Sequence, residues 1–587
     1  MCGIFGYIGK KEDAANIVLA GLKTLEYRGY DSWGIAISLN GKVEIEKHVG
    51  KIGNAETVLP KGSLAIGHTR WATHGGVTKE NAHPHQDCTK EVAVIHNGII
   101  ENFLELKQEL VQKGHKFISE TDTEVVAHLV EENLAKEDFV SAFRNAFNKL
   151  KGFNAIVAVH APSKKIIAAK TGSPLVVGIG EKEFLIASDA AGIAQYTKKV
   201  LFMEDNQMVV LGDKIELLAL PSGKELEPKI ETLDWDFETA DMGKYEHFLM
   251  KEINDQRDSI AQAATQNEKD LFAFAKLIED SFGTYLVGCG TAAHACRMGT
   301  YIFSMVAKKH VNFCVGSEFS YFDHFLTPES LLIAASQSGE TADLIEAVSA
   351  ARKRKSKVAS VVNVVGSTLY RGSDLVLPLR AGLEKAVLST KAFTGKITLF
   401  YLLAFILSGE YERGRKMLLQ AAGEVGKLLD DESLINQIKE IAGKISASSD
   451  IYILGRGLSF PLALEAAHKI KEASYIHAEG FAGGEPKHCE ISLVSKGTPA
   501  IIFAPNDETR AAIISNAMEF KARGAYIIGI SPEKHEVFDE WIKVPDLGIV
   551  SPIINIIPGQ LLAYFLALEK GNDPDKPRNL AKSVTVK

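Results

Sequence analysis

The chain has 587 residues, 46% of them apolar, and its 66 lysines and arginines against 74 aspartates and glutamates give a formal net charge of −8. At about 150 residues per domain, this length predicts roughly three or four domains, and a mean hydropathy near zero is typical of soluble globular protein. The sequence contains no basic block or tail, which argues against nucleic acid as a partner.

The cysteines and the apolar runs bear on the compartment. The six cysteines are sparse and form no Cys-x-x-Cys pair, which argues for a reducing compartment and against a disulfide framework or a cysteine-rich zinc site. The first residues lack the charged and long apolar regions of a signal peptide. The apolar run 397–407 is too short to span a bilayer and predicts a buried helix. We therefore expect a cytoplasmic protein with no membrane partner.

The first seven residues contain a candidate nucleophile, Cys2, followed by a small residue and an apolar run. Removal of Met1, which a small second residue permits, would place the Cys2 thiol beside its own α-amino group. An α-amine has a pKa of about 7.7–8.0 and can act as a general base for such a thiol. The same residues also fit a buried structural cysteine at the start of a first strand.

Residues 1–235 alternate short strand-like runs with glycine-rich turns, and two helices stand out, at 14–25 and 122–133. Many strands with few helices predict an α+β sandwich of antiparallel sheets with helices packed outside. The predicted strands are 4–8, 34–38, 42–48, 63–69, 92–96, 155–160, 165–169, 184–188 and 208–211.

Polar residues cluster in this segment in three stretches, 68–75, 96–98 and 121–124. Arg70 could hold a carboxylate in a bidentate pair and Asp122 could receive an ammonium, so together they would bind the α-groups of an amino acid. The Asn97 side chain and the Gly98 N–H could form an oxyanion hole. A hairpin turn at Asn97-Gly98 and a helix N-cap at Asp122 are the alternatives. Jointly with Cys2, these residues predict an acyl-transfer site.

After residue 235 the pattern changes to strands alternating with helices, which predicts a parallel α/β sheet. A helix is predicted at 245–263. A buried strand then runs into a glycine turn at 285–291, before a helix at 292–306. The turn is not Gly-x-Gly-x-x-Gly, so a dinucleotide site is not indicated.

A second strand, 331–335, ends in a loop rich in hydroxyl and amide side chains, and a helix begins at Ala342. Hydroxyls, backbone N–H groups and a helix N-terminus that face one point form an anion site, most naturally for phosphate. The absence of a P-loop lysine disfavours a nucleoside triphosphate. An ordinary Ser/Thr capping turn is the alternative. The candidate phosphate-binding residues are Ser336, Gln337, Ser338 and Thr341.

A further cluster precedes a long predicted helix at 393–407 and is interpreted as a substrate-lining loop or, equally, as a capping segment. Its residues are Glu384, Val387, Ser389, Thr390 and Lys391.

The last part of the chain repeats the α/β pattern. The strand and glycine turn at 450–457 mirror those at 285–290, and 500–505 echoes 331–335, an internal duplication with a period of roughly 165 residues. A predicted helix at 462–475 places Glu465, Lys469 and Glu472 on one face. Alternating charges of this kind also fit a solvated, salt-bridged face.

Residues 2–6, 68–71, 96–98 and 121–123 resemble the N-terminal-nucleophile glutaminase domain of class II glutamine amidotransferases. The resemblance implies that Cys2 attacks the glutamine side-chain amide with its own amine as base, and that Asn97 and Gly98 stabilise the oxyanion. It also implies a glutamine-binding set and a gate to an ammonia path at Trp71. That set is Arg70, Trp71, Thr73, His74, Gly75 and Asp122.

The loop 336–341 and the duplication resemble a tandem pair of SIS (sugar isomerase) domains, which bind phosphosugars. With the motifs at 474–479 and 484–488 and the tail 577–587, the whole chain resembles the family of glutamine–fructose-6-phosphate aminotransferases. The resemblance implies transfer of ammonia from glutamine to fructose 6-phosphate, giving glucosamine 6-phosphate, without a metal or an organic cofactor.

The same resemblance implies roles in the sugar reaction. His488 assists ring opening, Lys582 forms a Schiff base with the C2 carbonyl, and Glu472 moves a proton between C1 and C2. Glu465 and Lys469 complete that site. Thr291 joins the candidate phosphosugar ligands Val387, Ser389 and Lys391.

These assignments predict five segments: a glutaminase domain at 2–235, a linker at 236–245, SIS domains at 246–430 and 431–575, and an active-site tail at 576–587. We expect a homodimer through the SIS domains. Two alternatives stay open, an amidotransferase for a different ketose phosphate and a non-catalytic phosphosugar sensor.

Overall fold

The computed structural model describes residues 2–233 and 242–585. The chain divides into two compact units, Met1–Glu238 with Ala581–Lys587, and Thr239–Leu580. Most of the predicted linker at 236–245 lies outside the described residues. The finer predicted boundaries between the SIS domains and the tail stay predictions.

Within residues 2–233, strands form two antiparallel sheets, of eight strands in the order β15-β11-β9-β10-β1-β4-β2-β3 and of seven in the order β14-β13-β12-β8-β7-β6-β5. The antiparallel sandwich predicted for this segment is therefore confirmed. The strands are β1 Gly3–Ile8, β2 Ser32–Leu39, β3 Lys42–Val49, β4 Leu64–Arg70, β5 His85–Gln86, β6 Val92–Gly98, β7 Asn154–His160, β8 Lys165–Lys170, β9 Val176–Ile179, β10 Phe184–Ala187, β11 Lys199–Phe202, β12 Gln207–Leu211, β13 Ile215–Ala219, β14 Glu225–Leu226 and β15 Glu231–Thr232.

Four described helices accompany these sheets: α1 Ala14–Thr24, α2 Phe103–Gln112, α3 Glu124–Leu134 and α4 Phe139–Phe147. Helices α2 and α4 were not predicted from the sequence. Helix α2 buries mainly Leu106 and Leu110, one turn apart, so its apolar stripe is narrow. The helix predicted at 122–133 begins at Glu124, two residues later than expected.

Strand β1 lies inside the larger sheet, between β10 and β4. Its side chains alternate between two cores, as the period of a strand requires. Ile4 belongs to the core formed by residues of both sheets, whereas Phe5 and Tyr7 pack with residues of α1. Because all three side chains are fully buried, strand β1 is firmly anchored, and this fixes the position of Cys2 directly before it.

The second unit contains two parallel sheets of five strands, in the orders β17-β16-β18-β19-β20 and β22-β21-β23-β24-β25. The identical strand order confirms the parallel α/β class and agrees with the predicted duplication. The strands are β16 Thr284–Gly288, β17 Asn312–Val315, β18 Leu331–Ser336, β19 Lys357–Val362, β20 Leu375–Pro378, β21 Asp450–Gly455, β22 His477–Ala482, β23 Pro499–Phe503, β24 Tyr526–Ser531 and β25 Glu540–Lys543.

Helices α5 to α17 surround these sheets. The single helix predicted at 245–263 is two helices that meet at Asp255. Residues on both sides of this break make hydrogen bonds to distant parts of the chain. Glu252 accepts from the Lys385 N–H at 2.5 Å, and Gln256 donates to Gln560 at 2.7 Å. The helices are α5 Phe248–Asn254, α6 Gln256–Ala264, α7 Glu268–Asp280, α8 Thr291–Ala307, α9 Gly316–Phe319, α10 Ala342–Lys353, α11 Thr368–Arg371, α12 Lys391–Leu407, α13 Tyr411–Asp430, α14 Glu432–Ile445, α15 Ser459–Ser474, α16 Arg510–Lys521 and α17 Pro552–Glu569.

One helical stretch among the described residues, Gly548–Glu569, is long and apolar enough to cross a membrane by length and composition. Its most apolar window is 94% buried inside the structure. The stretch is therefore a core helix of this unit, and it packs mainly on α15 and α14.

Candidate active site

Cys2 lies at the start of β1 and is held by strand β4. The Gly3 N–H donates to Thr69 Oγ1 at 2.9 Å, and the Trp71 N–H donates to Cys2 Sγ at 3.2 Å. Burial raises the pKa of the Cys2 thiol. A thiol of this kind is largely protonated at neutral pH, so a nucleophilic role requires a nearby base.

The Cys2 thiol borders a pocket into which the three predicted polar clusters converge. Eight predicted site residues line this pocket: Cys2, Arg70, Trp71, Thr73, His74, Asn97, Gly98 and Asp122. Four further residues line the pocket: His96, Thr121 and Thr123, which lie in the predicted polar stretches without an assigned role, and His83, which the sequence analysis missed. The ends of β1, β4 and β6 bring these residues together from distant parts of the sequence.

Arg70, at the end of β4, binds the loop that follows it. Its Nη1 donates to the Gly76 carbonyl at 3.0 Å, and its Nη2 donates to the carbonyls of His74 at 2.5 Å and Gly75 at 3.2 Å. The guanidinium thereby sets the conformation of the loop beside the pocket. Gly75, predicted to bind glutamine, takes part through this carbonyl.

The Asn97 side chain has a fixed orientation. His68 Nε2 is 2.9 Å from the His96 carbonyl, an obligate acceptor, so this nitrogen carries the proton and also donates to Asn97 Oδ1 at 3.1 Å. Asn97 Nδ2 consequently faces the Cys2 carbonyl, to which it donates at 2.9 Å. The amide donor that the sequence predicts for an oxyanion hole therefore lies next to the candidate nucleophile.

Gly98 is a position that only glycine fits. Its φ is +146°, and a Cβ would lie 2.3 Å from the Phe153 carbonyl oxygen and 2.6 Å from His96 Nε2. Asp122 is buried, and its Oδ2 accepts from the Ile100 N–H at 2.8 Å. Because α3 begins only at Glu124, Asp122 is not the N-cap residue of that helix.

Buried, neutral histidines form a hydrogen-bonded network beside the Cys2 pocket. Thr123 Oγ1 is hydrogen-bonded to His83 at 2.9 Å and to His96 at 3.0 Å, and the rings of His68 and His83 stack at 4.2 Å. Burial lowers the pKa of His68 to about 3, and it also lowers the pKa values of His83 and His96. The sequence feature that could have indicated this network is the pair of histidines, His83 and His85, on either side of Pro84.

In the second unit, the candidate phosphate loop joins β18 to α10. Ser336 Oγ accepts from the Gly339 N–H at 2.8 Å, so this hydroxyl shapes the loop. Gly339 has φ +69°, and a Cβ there would lie 2.0 Å from Ser367 Oγ. Thr341 precedes α10 but makes no side-chain cap hydrogen bond. The Thr341 hydroxyl therefore does not cap helix α10, as the alternative interpretation would require.

A buried charged cluster joins the two repeats of this unit. Glu465 on α15 is fully buried, and its oxygens are 3.1 Å from Thr291 Oγ1 and 2.8 Å from His294 Nδ1 on α8. Lys469 Nζ lies 3.7 Å from Glu465 Oε1 and makes a short contact to Glu472. The alternative of a solvated, salt-bridged face is therefore wrong for Glu465 and Lys469.

The charges within this cluster set the ionisation of Glu472. Burial alone would raise its pKa, but Lys469 and His468 lower the pKa of Glu472 to about 2. Burial alone would lower the pKa of Lys469, but Glu472 and Glu465 raise it above its ordinary value. At neutral pH, Glu472 is therefore a carboxylate paired with an ammonium.

The segment before α12 is held by the buried carboxylate of Glu384. Its oxygens accept from Ser389 Oγ at 2.8 Å and from the Thr390 N–H at 2.9 Å, so it caps the start of the helix. Lys391 is buried and paired with Asp255 at 3.0 Å. These contacts favour the capping interpretation, and binding of phosphosugar by Val387, Ser389 and Lys391 stays a prediction.

His488 and Lys582 fall in different units of the chain. His488 is exposed, at the end of a short 3-10 helix, Glu485–His488. Lys582 is partly buried and belongs to the closing segment that groups with the first unit. Just before that segment, the Arg578 N–H donates to Tyr475 Oη at 2.7 Å, and the guanidinium covers the Tyr475 ring.

The first unit offers a cysteine thiol with an amide donor and a buried carboxylate beside it, and the second offers a hydroxyl-rich anion loop in a duplicated parallel fold. These features define a class of enzyme that combines an N-terminal-nucleophile amidotransferase unit with a phosphosugar isomerase unit.

Comparisons with known proteins agree with this class. The glutamine amidotransferase domain model matches residues 68–195, and the SIS domain model matches 277–406 and 444–540. The chain is 42% identical to the glutamine–fructose-6-phosphate aminotransferases (isomerizing) of Thermococcus kodakarensis and Pyrococcus horikoshii, over 100% of each chain. It is 30% identical, with a TM-score of 0.53, to the C-terminal domain of glucosamine-fructose-6-phosphate aminotransferase from Francisella tularensis, covering 57% of this chain and 100% of that one. The chain belongs to the family of glutamine–fructose-6-phosphate aminotransferases.

Proposed function

We propose that this chain transfers the amide nitrogen of glutamine to fructose 6-phosphate and isomerises the product to glucosamine 6-phosphate. The observation that carries the proposal is the pairing, in one chain, of the Cys2 pocket with the buried cluster around Glu465 and Glu472. The end-to-end identity to enzymes of that name supports the same reaction. We expect the protein to be located in the cytoplasm, a reducing compartment that its few free cysteines favour.

In the glutaminase half, Cys2 attacks the side-chain amide of glutamine after removal of Met1, with its own α-amine as base. Asn97 and Gly98 stabilise the oxyanion, a role supported by the Asn97 amide that already faces Cys2. Arg70 and Asp122 bind the α-groups of glutamine, and the loop of Thr73, His74 and Gly75 closes over it. Ammonia then passes by Trp71 along a dry path that keeps it nucleophilic.

In the sugar half, the phosphate of fructose 6-phosphate binds the loop at 336–341 with Thr291 nearby. His488 opens the ring, and Lys582 forms a Schiff base that ammonia displaces. Glu472 moves a proton between C1 and C2, a role that requires the ionised carboxylate that Glu472 carries at neutral pH. Glu465 and Lys469 hold Glu472 in place.

The test follows product and glutamate together, from glutamine and fructose 6-phosphate, in the wild type and in Lys582→Ala. We expect product from the wild type, whereas Lys582→Ala releases glutamate but makes none. Lys570→Ala, which removes an exposed lysine after α17, is the matched control and keeps product formation. A wild type that releases glutamate but never aminates fructose 6-phosphate points to another ketose phosphate. Phosphosugar binding without glutamate release identifies a sensor.

We also propose a homodimer in which the exposed His488 of one chain serves the site of the other. Mixing His488→Asn chains with Lys582→Ala chains tests this. If the site is shared, half of the dimers are mixed and each has one intact site, so about a quarter of wild-type activity returns. If both residues act within one chain, no mixed dimer has an intact site and activity stays absent.

A further inference from the structure

Four potential metal ligands meet in the first unit, outside the glutamine pocket. The ligand atoms of Cys88, His115, His128 and Glu131 all lie within 4.8 Å of one another. They come from three separate segments: the turn after β5, the connection between α2 and α3, and α3 itself. The fold, and no local sequence motif, brings them together.

The distances between these atoms match a tetrahedral site. Cys88 Sγ is 3.7 Å from His128 Nδ1 and 4.0 Å from His115 Nδ1. Glu131 Oε2 is 2.9 Å from His115 Nδ1 and 3.1 Å from His128 Nδ1. With Zn–N and Zn–O bonds of about 2.0–2.1 Å and a Zn–S bond of about 2.3 Å, the edges of a tetrahedron are about 3.3–3.6 Å. These four distances differ from the edges of a tetrahedron by about 0.5 Å or less, and the other two pairs of ligand atoms lie within 4.8 Å.

The outer nitrogens of both histidines face carboxylates, a second and independent observation. His115 Nε2 is 3.2 Å from Glu132 Oε2, and His128 Nε2 is 3.7 Å from Glu124 Oε1. Histidines that bind zinc commonly donate their other N–H to a carboxylate, which fixes the tautomer and orients the ring. The His115 ring thus has the arrangement that ligation through Nδ1 requires, whereas His128 Nε2 lies near a carboxylate but makes no hydrogen bond among the described residues.

We propose that Cys88, His115, His128 and Glu131 bind one zinc ion in a closed, structural site. A thiolate with two imidazoles and one carboxylate suits zinc better than magnesium or calcium, which take oxygen ligands. Four protein ligands leave no open position for a substrate, so the ion has no catalytic role. A site with a single cysteine agrees with the argument from cysteine spacing against a cysteine-rich zinc site, and it revises only the absence of a metal that the resemblance implied.

The site would stabilise the helix on which the glutamine pocket depends. Helix α3 carries His128 and Glu131, and the residues directly before it, Thr121 to Thr123, line the pocket. A zinc ion that ties α3 to Cys88 and His115 would therefore limit movement of the pocket wall. Its loss would lower the melting temperature of the first unit even with no glutamine present.

The first test is the metal content of the full chain, purified from zinc-supplemented culture and passed over a metal-scavenging resin. We expect about one zinc per wild-type chain, and less than about a tenth of that in Cys88→Ser and His115→Gln. Cys314→Ser and His160→Gln remove the same residue types elsewhere and retain the zinc. A wild type without zinc, or a Cys88→Ser chain with full zinc, would overturn the proposal.

Cobalt(II) replaces zinc in a measurement that does not depend on how well a variant folds. The wild-type chain loaded with cobalt should show the intense visible bands of a tetrahedral ion and a thiolate-to-cobalt charge-transfer band. Blocking Cys88 with a thiol reagent before loading should remove the charge-transfer band. A weak octahedral spectrum, or no binding, would count against the site.

The outer carboxylate gives a third readout. Glu132→Gln leaves all four ligands in place but removes the negative charge from the acceptor of His115, and we expect zinc affinity to fall by about 10–100-fold. Glu109→Gln, at an exposed position of α2, is the matched control with unchanged affinity. Equal affinities in the two variants would contradict the proposed orientation of His115.

Discussion

Thr291 Oγ1 donates a hydrogen bond of 3.1 Å to Glu465 Oε1, and this bond joins the first helix of one parallel-sheet repeat to the equivalent helix of the other. Helix α8 follows β16 and helix α15 follows β21, so the two residues occupy corresponding parts of the duplicated fold. His294, one turn beyond Thr291, binds the second oxygen of Glu465 at 2.8 Å. The two repeats therefore share one buried polar cluster.

Thr291→Val should weaken the sugar reaction and leave glutamine hydrolysis intact. The substitution keeps the shape of the side chain but removes one hydrogen bond from a fully buried carboxylate, which is costly. We expect the kcat/KM for fructose 6-phosphate to fall by about tenfold or more. Thr291→Ser keeps the hydroxyl and should retain most activity. Normal activity in Thr291→Val with a loss in Thr291→Ser would show that the methyl group, and not the bond, matters.

Arg70→Lys should raise the KM for glutamine by at least about tenfold. A lysine keeps the charge but cannot donate at once to the three loop carbonyls, so the loop of residues 74–76 loses its conformation. Glutamate release at varied glutamine measures the effect. Arg144→Lys, on α4, is the control with unchanged KM. A normal KM in Arg70→Lys would mean that the loop is held by other contacts.

Glu472→Gln should uncouple the two halves. The amide cannot accept a proton, so we expect product formation to fall by about 10²–10⁴-fold, while glutamate release continues. Exchange of solvent deuterium into the C1 position of the sugar phosphate should disappear as well. Glu472→Asp keeps a carboxylate and should retain part of the exchange. Full exchange in Glu472→Gln would assign the proton transfer to another residue.

Acid should destabilise the first unit through its buried histidines. The pKa of His68 is about 3 in the folded chain and about 6.5 when unfolded, so the unfolded state binds the proton first. Stability is therefore present above pH 6.5 and is lost as the pH falls toward 3. At about pH 5, protonation of this one residue in the unfolded state lowers the free energy of unfolding by about 2 kcal/mol.

Peptide-resolved hydrogen exchange checks this, after correction for the intrinsic pH dependence. Protection in β4 and β6 should fall between about pH 7.5 and 5 more than protection in β18 of the second unit. Equal losses in both units would mean that the histidines are not responsible.

Much of the candidate site was predictable because its chemistry lies in short, unusual combinations of residues. The clusters around Arg70, Asn97 and Asp122 each have few chemical uses, and the structure brings them to one pocket with Cys2. Other local features were not predictable. The break at Asp255 and the helix α2 depend on partners elsewhere in the chain, such as Gln560, which is 304 residues from Gln256.

The sequence by itself determined the antiparallel and parallel halves, the duplication and the identity of the reactive side chains, because these depend on local periodicity and residue type. Only the tertiary structure decided which distant groups meet: Thr291 with Glu465, His83 and His96 with Thr123, and Cys88 with His115 and His128. Such contacts depend on the order of the strands and the packing of the helices. A local sequence pattern does not indicate which distant residue will be the partner.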